Sequence, residues 1–102
     1  MGQRILYLFM GRIKGSWYEM PQQEQDELGA RVRESFAKSG GKRLGMADCS
    51  WSSSQWEWFG MQEFPSIEAL QKHIEEQREM GFLAHIEEEM HIVGTPWESE
   101  GN

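Results

Sequence analysis

The feature of this sequence that most limits its fold is a run of six apolar residues near the amino end. Residues 5–10 read Ile-Leu-Tyr-Leu-Phe-Met, and most of these residue types suit β-strands. A strand with one wet face alternates apolar and polar residues, whereas an unbroken apolar run indicates a strand covered on both faces. The sheet that contains this strand therefore needs packing partners on both sides.

The next segments favour one helix followed by one strand. Residues 21–38 are predicted to be helical because Leu28, Val32 and Phe36 recur every four residues on one face. A Ser-Gly-Gly sequence then ends the helix. Residues 44–49 are predicted to form the second strand.

The second half of the chain predicts a strand, a helix and a final strand. Residues 56–64 predict a third strand, and Ser66 is a good N-cap for a second helix. Gly81 suits the end of that helix, and residues 82–86 suggest one more helical turn. The last predicted strand lies within residues 87–93. The apolar positions expected to face inward on the second helix are Ile67, Leu70 and Ile74.

The resulting order, β-α-β-β-α-β, predicts an α+β fold of the ferredoxin-like type. We expect an antiparallel four-stranded sheet with the helices on one face. A second copy of the chain would cover the other face, sheet on sheet, which predicts a homodimeric α+β barrel. Residues 1–96 are expected to form this single domain, and residues 97–102 a polar tail.

The net charge and the cysteine count exclude some classes of partner and of covalent cross-link. The net charge is −7 and the Lys and Arg residues form no stripe, so nucleic acid and anionic membranes are not expected partners. One cysteine, Cys49, allows no internal disulfide. The apolar run near the amino end is too short for a signal peptide or a membrane span, which predicts a cytoplasmic protein.

Three short motifs resemble the dimeric α+β barrel superfamily. They are Leu-Tyr-Leu-Phe-Met-Gly-Arg at residues 6–12, the Phe64-Pro65 pair, and Gly-Phe-Leu-Ala-His at residues 81–85. Within the superfamily, the sequence is most similar to a family of small uncharacterised bacterial proteins. The superfamily includes antibiotic-biosynthesis monooxygenases, heme-degrading oxygenases, muconolactone isomerases and polyketide cyclases. The resemblance therefore implies a fold and a pocket, but not one reaction.

His85 is the leading candidate for a catalytic residue. It follows Phe82 and Ala84 after the second helix, which is similar to the way the heme-degrading oxygenases of this superfamily place an axial histidine near Phe and Ala. We expect its imidazole to point into the intersubunit cavity, where it could move a proton at neutral pH. His73 falls between apolar positions of the second helix and is expected to face solvent.

A metal site is not expected. His85, Glu87, Glu89 and His91 alternate along the last strand. However, six strand residues span about 20 Å, so one ion could not contact both histidines.

The third predicted strand and its neighbours supply the other candidate site residues. If Phe59 and Met61 pack against the helices, the alternate side chains point into the barrel and enclose a ligand. The expected substrate-binding residues are Trp56, Trp58, Gln62 and Phe82. Tyr7 and Asp48 are further acid–base candidates. A carboxylate in an apolar cavity would have a raised pKa, although Asp48 could instead cap the turn at Ser50.

Together these observations favour a protein that binds, and as an enzyme converts, a small aromatic or polyketide-like molecule in a barrel cavity. The reaction types expected are cofactor-independent oxygenation and isomerisation, with His85, Asp48 and Tyr7 as catalytic groups. Two alternatives stay open. One is a noncatalytic dimeric module whose aromatic residues form an interface, and the other is a heme-binding or heme-degrading protein.

Overall fold

The computed structural model describes residues 3–97, apart from the side chains of residues 88 and 89. The predicted tail at residues 97–102 lies outside this range except for Trp97. Eight elements follow one another along the chain. They are β1 (Ile5–Ile13), α1 (Gly15–Glu19), α2 (Gln22–Lys38), β2 (Lys42–Asp48), β3 (Trp58–Phe64), α3 (Ile67–Glu79), a 3-10 helix (Phe82–His85) and β4 (Ile86–Gly94). The predicted β-α-β-β-α-β order is confirmed, with α1 and the 3-10 helix as additions.

The four strands form one antiparallel sheet in the order β2-β3-β1-β4. The apolar strand β1 therefore lies inside the sheet, between β3 and β4. Its residues alternate strictly in burial: Ile5, Tyr7 and Phe9 are buried, and the residues between them are half-buried. This position explains the unbroken apolar run, because the buried set lies under the helices and the other set lies on the opposite face.

The core lies between the sheet and the helices on one face. Its buried cluster combines β1 and β3 residues with Leu70 of α3, and Phe64 is completely buried. Phe36, Trp58 and Ile74 pack against the cluster. On α2, Leu28 is also buried, as its apolar stripe predicts.

The caps of α3 form where the sequence predicts them. The side chain of Ser66 accepts a hydrogen bond from the backbone N–H of Ala69 at 3.1 Å. Gly81 follows the helix with φ of 85°, a left-handed conformation that favours glycine. One expectation for this helix is wrong. Ile67 does not face inward; it is 39% exposed, because it lies in the first turn beyond the edge of the core.

The register of β3 shows which of its two faces the helices cover. Gln62 lies opposite Tyr7 and Gly60 lies opposite Phe9, so both share the face that the helices cover. Trp58 lies opposite Gly11 on the same face. Phe59 and Met61 point to the other face, so the condition under which the alternate side chains would enter the barrel is not met. Trp58 and Gln62, both expected in an intersubunit barrel, lie under the helices of their own chain.

The opposite face of the sheet, which we call the open face, is apolar at its centre. Three of its large side chains are strongly exposed: Phe59 at 45%, Met90 at 48% and Ile92 at 55%. The set that defines this face is Leu6, Leu8, Met10, Phe59, Met61, Met90 and Ile92. Ion pairs lie at its two ends, Arg4 with Glu63 at one and Arg12 with Glu87 at the other.

In the part of the chain that the structure describes, no helix has both the length and the apolar character that a membrane crossing requires.

Candidate functional site

A cavity of about 240 Å³ lies between the sheet and the helices. Its floor is formed by strand residues, among them Tyr7, Phe9, Trp58 and Gln62. The remaining side chains that line it come from β2, the helices and the start of β4: Arg43, Met46, Val32, Arg33, Phe36, His73, Ile74, Gln77, Phe82, Leu83 and Ile86. The lining is mostly apolar and aromatic with a few polar groups, which is typical of small-molecule sites.

Two glycines shape the floor of this cavity. A Cβ at Gly11 would lie 2.8 Å from Cζ2 of Trp58, so the missing side chain lets the indole lie across β1. At Gly60, a Cβ would collide with the sulfur of Met46 and approach the Phe9 ring at 3.1 Å. Both positions bring large side chains of neighbouring strands close to the backbone, which only glycine permits.

His73 is the main polar group on the helical side of the cavity. Its side chain is buried, with 5% of the residue exposed, and its ring packs against Phe36 and Phe64. Nδ1 of His73 lies 2.8 Å from Oγ of Ser35, which is also buried. The Ser35 hydroxyl in turn donates a hydrogen bond to Oε1 of Glu76 at 2.6 Å.

The protonation states along this chain follow from its environment. Burial lowers the pKa of His73 from its usual 6.5, although the nearby Glu76 carboxylate acts in the opposite direction. The hydrogen bond from Ser35 is the main cause that lowers the pKa of Glu76. At neutral pH the imidazole is therefore neutral and the carboxylate is ionised, so the carboxylate can only accept.

These states define the tautomer of His73. The single proton of the Ser35 hydroxyl goes to the Glu76 carboxylate, so the hydroxyl oxygen must accept from His73. Nδ1 of His73 then carries the ring proton, and Nε2 keeps its lone pair. Among residues 3–97, Nε2 forms no hydrogen bond, and because no buried side-chain nitrogen or oxygen in this range lacks a partner, Nε2 is not fully enclosed by protein. A neutral imidazole with a free Nε2 can accept a proton or bind a metal ion.

The expectation that His73 faces solvent is wrong. Leu70, His73, Ile74 and Gln77 follow the i, i+3, i+4, i+7 spacing of one helix face, and Leu70 is among the most buried residues of the chain. This spacing is the signal that could have placed His73 on the inner face. Its partner Ser35 lies 38 residues away and has no comparable signal in the sequence.

The structure brings together only part of the predicted site. Four of the predicted residues line the cavity: Tyr7, Trp58, Gln62 and Phe82. Tyr7 is buried and stacks on Phe9 at a ring distance of 5.3 Å. Trp56 is not among the lining residues, because β3 begins at Trp58 and Trp56 belongs to the preceding loop.

His85 does not join this group. It ends the 3-10 helix, where its Nδ1 lies 2.9 Å from Oγ of Ser16 and its ring packs edge-on against Trp17 at 6.1 Å. The unpredicted helix α1 supplies both neighbours. His85 therefore contacts α1 and does not line the cavity.

Asp48 does not have the environment expected of a general base. It is exposed, and its Oδ1 accepts hydrogen bonds from the backbone N–H and the hydroxyl of Ser50, at 2.9 and 2.7 Å. These bonds lower its pKa, whereas burial in an apolar cavity would raise it. The structure matches the alternative interpretation, in which Asp48 caps the turn at Ser50.

Within the described residues, no group of three or more His, Cys, Asp or Glu side chains is arranged to hold a metal ion.

Solved structures resemble this chain, although its sequence matches no family model and no curated protein. Three of them are chlorite dismutase from Candidatus Nitrospira defluvii. A double mutant has a TM-score of 0.75 and 11% identity over 97% of this chain and 42% of that chain. The complex with imidazole has a TM-score of 0.76 and 8% identity, and the match covers 94% of this chain and 41% of that chain. A single mutant in complex with cyanide has a TM-score of 0.75 and 8% identity, and the match covers 94% of this chain and 41% of that chain.

The present chain spans about two-fifths of the length of these structures. At 8 to 11% identity the likeness shows the fold and nothing finer. The resemblance to a family of small bacterial proteins within the superfamily stays a prediction. What the likeness does establish, together with the sheet order, is the ferredoxin-like fold.

Proposed function

We propose that this protein binds a small aromatic molecule in the cavity between the sheet and the helices. The supporting observation is the combination of an aromatic lining with a buried, neutral imidazole. Size sets the ligand class. An apolar cavity of about 150 Å³ can hold benzene, so a cavity of about 240 Å³ suits one substituted ring. A polycyclic, polyketide-like ligand would need more room.

His73 could act as a general base in the cavity. Its Nε2 lone pair can take a proton from an acidic C–H or O–H group of the ligand, and Ser35 and Glu76 hold the ring in the tautomer that makes this possible. Returning the proton to another ligand atom would complete an isomerisation. A cofactor-independent oxygenation would begin with the same deprotonation and then require dioxygen. In this proposal His73 takes the role that the sequence suggested for His85.

A cavity-filling substitution tests the binding proposal. Leu83 lines the cavity in the 3-10 helix, and its neighbour Ala84 is exposed and does not line it. We expect single-ring aromatic probes to bind saturably in ligand-observed NMR. Binding should be lost in Leu83→Trp and kept in Ala84→Trp, with circular dichroism confirming that both variants fold. Absence of binding to the wild-type chain, or equal binding to both variants, would contradict the proposal.

Heme binding is a second candidate, supported by two observations. The similar structures include complexes with imidazole and with cyanide, which are both ligands of transition metals. In this chain, Nε2 of His73 is the donor that suits heme iron, and heme bound there would supply redox chemistry. The donor fits, but a cavity of about 240 Å³ does not hold the macrocycle in this conformation. Heme binding would therefore require the 3-10 helix or α2 to move.

Absorbance titration with hemin tests this candidate. A Soret shift with a 1:1 endpoint that His73→Ala abolishes, and that His85→Ala leaves in place, would support His73 as the axial ligand. The reverse result would return the role to His85. No shift with the wild-type chain would eliminate heme.

We further propose that a second copy of this chain covers the open face. The exposed apolar centre flanked by ion pairs has the layout of a protein interface, with an apolar core and a polar rim. A homodimer formed sheet against sheet would bury this surface and leave both cavities, which lie on the helical sides, unobstructed. A noncatalytic dimeric module would share this interface but would not bind ligand in the cavity.

A further inference from the structure

Two arginine side chains line the otherwise apolar cavity. Arg33 reaches it from α2 and Arg43 from β2, and both are exposed, which places them at its mouth. The chain has 17 acidic residues and only 10 basic ones. The two basic side chains at this small cavity therefore have a charge opposite in sign to the net charge of the protein.

Neither arginine has an acidic partner within residues 3–97. No ion pair or side-chain hydrogen bond involves Arg33 or Arg43 in this range. The contrast is with Arg4 and Arg12, whose guanidinium groups pair with carboxylates at the ends of the open face. In the described range, acidic partners thus pair with the arginines of the open face but not with the two arginines at the cavity.

The sequence around Arg33 explains why it is unpaired. Side chains three and four residues away are its neighbours on a helix. At those positions α2 has residues without charge: Gly29, Ala30, Phe36 and Ala37. The guanidinium extends back along the helix, so that a Cβ at Gly29 would lie 3.4 Å from its Nη1. Arg33 forms no ion pair with the acidic residues of α2.

Arg43 belongs to a polar row that crosses the floor of the cavity. It lies opposite Gln62 of β3, which in turn lies opposite Tyr7 of β1. Gln77 lines the cavity from α3. Within the described part of the chain, neither the Gln62 nor the Gln77 side-chain amide forms a hydrogen bond to another residue. Each amide has both donor N–H groups and an acceptor oxygen, whereas the two guanidinium groups have donors only.

The two unpaired guanidinium groups indicate the chemistry of the ligand. Both line one cavity and carry the same charge, so an anion bound at the mouth of the cavity would offset that charge. Carboxylates bind arginine through two parallel hydrogen bonds, which a neutral group cannot do as well. We infer that the ligand of this cavity carries a carboxylate on its aromatic body, with Arg33 and Arg43 binding the carboxylate. This inference rests on the proposed aromatic ligand site and specifies its chemistry.

A pair of nearly isosteric probes tests the inference. Benzoate is anionic at neutral pH and benzamide is neutral, while their rings and sizes are closely similar. Dissociation constants are measured by NMR titration at low salt, because salt screens exposed charges. Charge-assisted hydrogen bonds predict that benzoate binds about tenfold more tightly than benzamide. The Arg33→Gln/Arg43→Gln double variant should bind both probes equally.

The control is Arg31→Gln, which removes an exposed arginine of α2 that does not line this cavity. It should keep the preference for benzoate. Equal binding of both probes to the wild-type chain would overturn the inference and leave the aromatic site standing.

If neither probe binds, hemin is the next probe, because it joins propionate carboxylates to an aromatic macrocycle, although its binding would require the 3-10 helix or α2 to move. Hemin binding that weakens in the double variant, but not in Arg31→Gln, would support the role of the two arginines. Hemin binding that is unchanged in the double variant would overturn it. If no probe binds at all, both the inference and the proposed site are wrong.

Discussion

Oγ of Ser35 lies 2.8 Å from Nδ1 of His73, and this hydrogen bond joins α2 to α3 across the buried interior. The same hydroxyl donates to Glu76, so that one serine is placed between an imidazole and a carboxylate. The Ser35–His73 hydrogen bond has a structural and a chemical effect. It ties the two long helices above the sheet, and it fixes which ring nitrogen of His73 carries the proton.

Ser35→Ala should therefore lower the free energy of unfolding and reduce the share of His73 that carries its proton on Nδ1. Without the hydroxyl, the N–H of His73 loses its acceptor in a buried position, which costs about 1–3 kcal/mol of unfolding free energy. Urea denaturation measures that loss. Two-dimensional ¹⁵N NMR of the imidazole should show mainly the Nδ1–H form in the wild-type chain, and a larger share of the Nε2–H form in the variant.

Ser54→Ala is the matched control, because Ser54 is exposed in the loop before β3. It should change neither the urea midpoint nor the imidazole spectrum. If Ser35→Ala behaves like Ser54→Ala, the hydrogen bond described here does not contribute in solution.

Stability should depend on pH through His73. Burial places the pKa of its imidazole in the folded chain below the usual 6.5. The unfolded chain then binds the proton more readily, so the unfolding free energy is full above about pH 6.5 and falls as the pH drops from there through the folded pKa. Glu76, whose pKa is also lowered, acts in the same direction but near its usual 4.5 and below.

Urea titrations between pH 7.5 and 5.5 separate the histidine contribution from that of the carboxylates. His73→Gln should flatten the pH dependence in this window. His91→Gln, which changes an exposed histidine of β4, should leave it in place. A wild-type chain whose stability rises as the pH falls through this window would show that the sign is wrong.

The fold was largely predictable because its signals are local. The apolar run of β1, the four-residue spacing of Leu28, Val32 and Phe36, and the Ser66 cap each report on neighbours along the chain. Helix α1 was missed because five residues carry too little periodicity to distinguish a short helix from a turn. The sequence does not define the direction of β3, because period-two alternation gives two faces without saying which one the helices cover.

The site was less predictable because it depends on contacts between distant residues. His85 stood out through its sequence neighbours, yet its partners Ser16 and Trp17 belong to the unpredicted helix α1. His73 had no notable neighbours in sequence, and its environment comes from Ser35 on another helix. Hydrogen bonds between residues so far apart leave no periodic trace, so only the folded structure reveals them.

Gly11→Ala tests how tightly the cavity floor is built. The new methyl group would lie 2.8 Å from Cζ2 of Trp58, so the indole must move from its packing position. Overpacking of this kind typically costs about 1–3 kcal/mol. Gly45→Ala is the control on β2, where a Cβ meets nothing within 4 Å. It should be neutral or slightly stabilising, because alanine has less backbone entropy to lose. Equal urea midpoints for the two variants would mean that Trp58 is not packed against Gly11.

The final prediction concerns the open face, where Ile92 is 55% exposed opposite Leu8. If a second copy covers this face, light scattering at micromolar concentration should give twice the 11.9 kDa mass of one chain. Ile92→Lys would place a charge in the apolar centre of the interface, where desolvating an unpaired ammonium group is costly, so this variant should be monomeric. Ile67→Lys provides the comparison, because Ile67 is also exposed, at 39%, but lies on α3. It should remain a dimer. A wild-type mass near that of one chain would mean that the exposed apolar surface is not a dimer interface, and a monomeric Ile67→Lys would place the interface on the helical side.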